Sequence, residues 1–351
     1  MTNGILLNRR NLLIYGASAG LTACSGPSAK ASADLTPEKQ TSGWSSSVSL
    51  PIAVQEIYPC AHKSRLHLAG GFIASNGRIT GPTSAHQSWS HTEREWKAET
   101  PLPTARHHPH LISFKNHLLA FAGFESPEEQ LGWIIQKSGW VLSADGTTWG
   151  TLPELPAPAA EAVIGITGDG HLHLAGGRSW SVKDKTGGWR DHIDTDHHFV
   201  LSGLNGKWEK AAPCPYKRNS TAGGVIEGQL HIVGGRQVGG GNLDTHTVYD
   251  YKADRWHELA PMPKAQGGLA AASLGGKLYA FGGEFFDNGG GVYPESWVYN
   301  PASDSWDSLP DMPHPRHGLG AVTLDGAIYV IGGALQASGV DTSTLVEVFR
   351  P

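Results

Sequence analysis

Charged residues recur at fixed distances behind a set of turns. Leu50-Pro51, Leu102-Pro103, Leu155-Pro156, Cys214-Pro215, Met262-Pro263 and Met312-Pro313 share one pattern. Three to five residues past each proline stand Val54-Gln55-Glu56, Arg106-His107-His108, Ala159-Ala160-Glu161, Arg218-Asn219-Ser220, Gln266-Gly267-Gly268 and Arg316-His317-Gly318. Arginine forks hold carboxylates through two parallel hydrogen bonds. Glutamate and histidine can trade protons as general base and acid. If the fold gathers these triplets, the residues to watch are Glu56, Arg106, His107, Glu161, Arg218, Asn219, Arg316 and His317. A competing reading makes the arginines braces of the turns that they follow.

The elements that would gather them repeat along the chain. Residues 277–283 read K-L-Y-A-F-G-G, an apolar strand ending in two glycines. Residues 66–71 and 172–177 both read L-H-L-A-G-G, 230–235 read L-H-I-V-G-G, and 328–333 read I-Y-V-I-G-G. A worn copy, L-L-A-F-A-G, occupies 118–123. The period is about fifty residues, the signature of a propeller array. Downstream of the first five copies a tyrosine-like position precedes a tryptophan by seven residues: Trp89 and Trp96, Leu142 and Trp149, Leu201 and Trp208, Tyr249 and Trp256, Tyr299 and Trp306.

These features resemble the kelch repeat: a Gly-Gly after the second strand, a spaced Tyr and Trp, and a small or basic residue opening the next inner strand. The resemblance covers residues 44 to the end. It implies an all-β, six-bladed kelch-type β-propeller, whose blades stack because none buries both faces alone. Residues 44–51 (W-S-S-S-V-S-L-P) reproduce the tryptophan-to-Leu-Pro unit, whereas the last copy stops at 346–351 without one. The N-terminal strand is therefore expected to join the last blade and close the ring. In a kelch blade the turn into the inner strand and the loop after the glycine pair share one face. The resemblance thus places the triplets around one mouth, together with Arg178, Arg236 and Glu284 from behind the glycine pairs. Such a mouth would bind a carbohydrate or a partner protein, with a preference for an anionic group.

Two function classes follow, a binding module and an isomerase. Periplasmic sialic-acid mutarotases are kelch proteins of similar length, and mutarotation needs only an acid and a base near a ring oxygen and an anomeric hydroxyl. An acidic sugar such as N-acetylneuraminate is the substrate that this likeness implies. Copper-radical oxidases also use kelch propellers, but Cys60 and Cys214 read as small core residues and no tyrosine-rich domain follows. The run 191–198, D-H-I-D-T-D-H-H, invites a metal, yet its spacing matches no standard site. Phosphate-loop, nucleophile-elbow and H-E-x-x-H motifs are absent, and neither a metal nor another cofactor is expected.

Of 351 residues, 46 are glycine and 22 proline, which suits turn-rich β structure. A net charge of −5 without a basic tract argues against nucleic acid as a partner. Residues 1–23 read as a signal peptide: Arg9-Arg10 resembles a twin-arginine export motif, and an apolar stretch too short for a stable span follows. Leu21-Thr22-Ala23-Cys24 resembles a lipobox, so Cys24 is expected to carry lipid, the sole link to a membrane. Residues 24–43 read as a flexible tether and 44–351 as the propeller. The expected location is the periplasm, anchored to the outer membrane.

Overall fold

The computed structural model describes residues 43–126, 132–180 and 191–351. The twin arginine, Cys24, nearly all of the tether and Trp189 lie outside the described residues. Thr41–Pro351 forms one compact unit.

Among the described residues there are six four-stranded antiparallel sheets. The first runs Cys60–His62, Arg65–Ala69, His86–Trp89 and Trp96–Glu99; the second begins at His110–Phe114, the third at Val163–Ile166. The fourth begins at Ala222–Ile226, the fifth at Ala270–Leu274 and the sixth at Gly320–Leu324. In the first five, strands follow in chain order. The sixth takes its outermost strand from the other end of the chain. Gly43–Ser46 pairs antiparallel with Val346–Arg350, Trp44 standing opposite Phe349.

Burial follows the repeat. Second strands such as Leu172–Ala175 are buried throughout, because a sheet covers each face. Outer strands such as Trp96–Glu99 are largely open to solvent. In five of the six sheets the first and second strands are joined by two-residue hairpins whose central residues have positive φ, as at Asp325 (49°) and Gly326 (71°), the turn that matches strand twist. The second glycine of each pair lets the chain pass close to the inner turn. A Cβ at Gly177 would lie 2.3 Å from the Ala160 carbonyl oxygen, and one at Gly333 2.7 Å from that of His317.

Apolar clusters sit between consecutive sheets rather than within them. Leu66, Leu68 and Trp89 of the first sheet pack with Val322, Tyr329 and Val348 of the sixth. Phe121 of the second packs with Leu174 and Phe199 of the third. The tryptophans fasten these joints. Trp96 donates its Nε1–H to Val48 O (3.0 Å), Trp149 to Thr100 O (3.0 Å) and Trp208 to Pro153 O (3.1 Å). Trp256 donates to Ala212 O (2.9 Å), Trp306 to Ala260 O (2.9 Å) and Trp44 to Pro310 O (3.0 Å). Each bond reaches the preceding sheet. Such a bond contributes about 1 kcal/mol net, against roughly 1.5–3 kcal/mol for burying one large apolar side chain, so packing dominates and the bonds set register.

Three sheets carry buried histidine pairs. His67 Nδ1 lies 3.0 Å from His86 Nε2; His173 and His198, and His231 and His246, meet through the same atoms at 2.9 Å. His86 and His198 donate their Nδ1–H to Thr100 O and Ala212 O, the carbonyls that also accept from Trp149 and Trp256. The acid-and-histidine run is thereby split. His192–Asp194 and His198–Leu201 belong to different sheets, and His198 is engaged with His173. Cys60 and Cys214 are buried and free, and burial pushes the Cys214 thiol up to about 12.

Candidate ligand-binding site

The fifth residue past each turn proline has a special backbone. Glu56 (φ 57°), His108 (57°), Glu161 (54°), Ser220 (49°), Gly268 (70°) and Gly318 (58°) are all left-handed. That conformation is costly for the four that carry a Cβ. Backbone bonds between repeats hold it: Glu56 N–H donates to Gly318 O (2.6 Å), Gly318 N–H to Gly268 O (3.1 Å), Gly268 N–H to Ser220 O (2.9 Å) and His108 N–H to Glu56 O (2.9 Å). The two glycines make room for neighbouring charges. A Cβ at Gly318 would lie 2.9 Å from the Glu56 carboxyl carbon, and one at Gly268 3.1 Å from Arg236 Nη2.

The turned residues form part of the wall of a cavity of about 410 Å³, lined by Glu56, His108, Glu161, Arg178, Ser220, Arg236, Glu284 and His317. Phe72, Trp133 and Phe286 give it aromatic faces. Of the residues expected at the mouth, Glu56, Glu161, Arg178, Arg236, Glu284 and His317 line this cavity. Asn219 stands behind it, accepting from Arg178 Nη2 (2.9 Å) and from Ser220 Oγ (2.9 Å).

Arg106, Arg218 and Arg316 are not brought to the cavity. They are the third residues past their prolines, at most 2% exposed, and each guanidinium turns back into its own repeat. Arg106 donates to Ala122 O (3.2 Å), Arg218 to Gly234 O (3.1 Å) and Arg316 to Gly332 O (2.7 Å), in each case the first residue of the glycine pair or its worn equivalent. Gln266 does the same to Gly282 O (2.8 Å). They brace the turn. His107 is likewise withdrawn, stacked between Phe72 (3.8 Å) and Phe124 (4.8 Å). The neighbouring His108 takes the place expected for it, and Ser220, Trp133 and Phe286 also join the wall. Their shared signal was the offset of five from the proline for His108 and Ser220; the two aromatics come from loops without a repeat pattern.

Opposite charges alternate around the wall. His108 Nε2 lies 2.8 Å from Glu56 Oε2, and His317 Nε2 lies 3.8 Å from Glu56 Oε1 and 3.4 Å from Glu284 Oε2. Arg236 meets Glu284 at 2.7 Å, and Arg178 meets Glu161 at 3.2 Å. Burial works to raise the Glu56 pKa, but His108, His317 and Arg236 outweigh it and bring it down to about 2. Glu161 is lowered in the same way, Arg178 and His108 overcoming burial. His107 faces Gly132 O with Nε2 (3.0 Å) and His108 with Nδ1 (2.7 Å). If His107 donates to that carbonyl, its Nδ1 accepts from His108 Nδ1–H. Among the described residues, Arg236 Nε and His317 Nδ1 are buried without a partner.

A second cavity, about 330 Å³, runs between the first strands of the sheets. Its wall is mostly small and apolar, Ala61, Ala162, Gly223 and Ala271 among others, with no charged side chain. Tyr58 borders it and also the narrow neck beside Glu56 and His108. The charged side chains gather at the first cavity.

A profile for the Kelch motif matches residues 267–313. A solved structure titled "Structure of YjhT" superposes with a TM-score of 0.71, covering 86% of this chain and 96% of that one at 15% identity. Residues 267–313 thus carry a kelch motif, and the fold is that of the superposed structure. Kelch-like protein terF of Aspergillus terreus is 26% identical over 197 residues, 53% of this chain. The matched stretch spans 39% of that relative's length. At such identity the solved structure speaks for the fold alone. What the fold contributes here is position: among the described residues, turns behind the prolines and segments behind the glycine pairs meet at this cavity.

Proposed function

We propose that this kelch propeller is an exported, lipid-anchored protein that holds a small carbohydrate with an anionic group in the cavity around Glu56, Arg178, Arg236 and Glu284. The carrying observation is the convergence of Glu, Arg and His side chains from six repeats on one cavity. An N–H of Arg236 lacking a partner there offers a carboxylate its first donor. Trp133 and Phe286 offer faces on which a sugar ring stacks. The finer architecture belongs to the same reading: six blades in a closed ring, for which the tryptophan bonds and the pairing of Gly43–Ser46 speak. Export rests on Arg9-Arg10 and anchoring on Cys24, with a periplasmic site at the outer membrane. A binding screen of acidic and neutral sugars against the full chain tests it; binding of neutral sugars alone would reject the anionic preference.

A second reading makes the protein a mutarotase of an acidic sugar such as N-acetylneuraminate. The observation that favours it is the Glu56–His108 contact, a base and an acid 2.8 Å apart on the cavity wall.

A further inference from the structure

Six large hydrophobic side chains are exposed among the described residues, and five of them stand on loops that follow glycine pairs: Ile193, Val238, Phe286, Leu335 and Val340. Only Val48 lies elsewhere. Single exposed apolar residues are ordinary on any protein, but scatter does not place five of six beside one opening. Val238 and Phe286 are part of the cavity wall. Ile193 and Val238 share the open cleft alongside it. Leu335 and Val340 lie on strands that flank Ser338 and Gly339, which line the cavity as well. The opening thus combines charged and aromatic groups inside with further aliphatic side chains beside it.

We propose that the natural ligand is an amphiphile, the acidic sugar of a glycolipid, with its head in the cavity and the first methylenes of its tail on this rim. The inference rests on the carbohydrate reading above and names the ligand's second half. Two features favour a hydrocarbon tail over further sugar or a protein surface. Four of the five side chains are aliphatic, whereas a second sugar unit is served by aromatic faces. They also come from four separate loops around the opening, with the polar Gln237 and Ser338 between them, and so do not make a flat contiguous patch of the kind that a protein partner covers.

The test compares the methyl and hexyl glycosides of N-acetylneuraminate, the latter below its micelle concentration, by titration calorimetry against the full chain. A fully buried methylene is worth about fourfold in affinity, so a partly covered hexyl tail should bind at least tenfold tighter than methyl. The combined change Ile193→Ser, Leu335→Ser and Val340→Ser, with Val238 and Phe286 kept, should cut that preference severalfold and leave methyl glycoside affinity unchanged; Val340→Ser alone should reduce it if the triple variant does not fold. Equal affinity for the two glycosides overturns the amphiphile while the carbohydrate reading stands. A hexyl preference undiminished in both variants overturns the rim as its cause. Tighter binding of a disaccharide than of the hexyl glycoside overturns it in favour of a longer glycan. Binding of neither glycoside overturns the acidic-sugar reading and the inference together.

Discussion

His108 Nε2 lies 2.8 Å from Glu56 Oε2, and both residues stand five places past a turn proline with φ of 57°. Two equivalent positions in successive repeats thus supply the two halves of a proton-sharing pair. If this pair catalyses anomer exchange, Glu56→Gln removes the base while keeping its shape. Loss of general base catalysis is expected to slow exchange about a hundredfold or more, read by polarimetry or NMR. A wild-type protein that does not accelerate exchange ends the isomerase reading and leaves the binding reading in place.

The buried arginines should matter to stability. Arg316 is fully buried against Glu347, itself 3% exposed in its side chain. Arg316→Ala leaves that carboxylate with only His314 at 2.8 Å, and breaking a buried pair costs about 3–5 kcal/mol. A lower melting temperature is the expected result. Melting like wild type would show that Arg316 does not brace the turn.

Much of this was legible in the sequence, down to a boundary set by backbone direction. The glycine pairs, the spaced tryptophans and the stray N-terminal strand mark sheets and their order, because each is a packing requirement repeated along the chain. The triplets behind the prolines mark where the cavity lies. Which member of a triplet faces it was hidden, because the choice depends on a left-handed residue at the fifth position. Nothing about Glu56, His108 or Glu161 as residue types announces a positive φ. The third position was ambiguous for a different reason: an arginine can brace a turn or bind an anion, and only burial against Ala122, Gly234 and Gly332 carbonyls decides. His86, His198 and His246 each stand ten residues before a tryptophan (Trp96, Trp208, Trp256), and their partners His67, His173 and His231 lie in the strands that precede the glycine pairs.

Those pairs make the fold sensitive to acid. Burial lowers the pKa of His67 and His246 to about 3 and of His173, His198 and His231 to about 4, and lowers that of His86 as well. An unfolded histidine takes its proton near pH 6.5. Between those values the unfolded chain binds more protons, so stability falls as pH falls from about 6.5 towards 4, by up to about 1.4 kcal/mol per pH unit for each histidine. Above pH 6.5 the contribution is complete. Denaturant melts from pH 8 to 4 should show a slope of several protons, and a flat profile would contradict the neutral pairs.

Gly318 should resist even the smallest side chain. Its φ is 58°, and an added Cβ would meet the Glu56 carboxyl at 2.9 Å. Gly318→Ala is expected to cost about 1 kcal/mol or more for the backbone alone and to displace Glu56. Weaker binding of acidic sugars should accompany the lower melting temperature. A variant with wild-type affinity would mean that Glu56 is not placed by this contact.

The central claim is that the cavity arginines, and not the bracing ones, receive the ligand. Calorimetric titration of N-acetylneuraminate into the wild type, Arg236→Ala and Arg218→Ala tests it most directly. A charge-assisted contact is worth about 1.5–3 kcal/mol, so Arg236→Ala should weaken binding roughly ten- to a hundredfold. Folded Arg218→Ala should melt at lower temperature and bind as the wild type does. Unchanged affinity in Arg236→Ala, with loss of binding in a folded Arg218→Ala, would contradict the account.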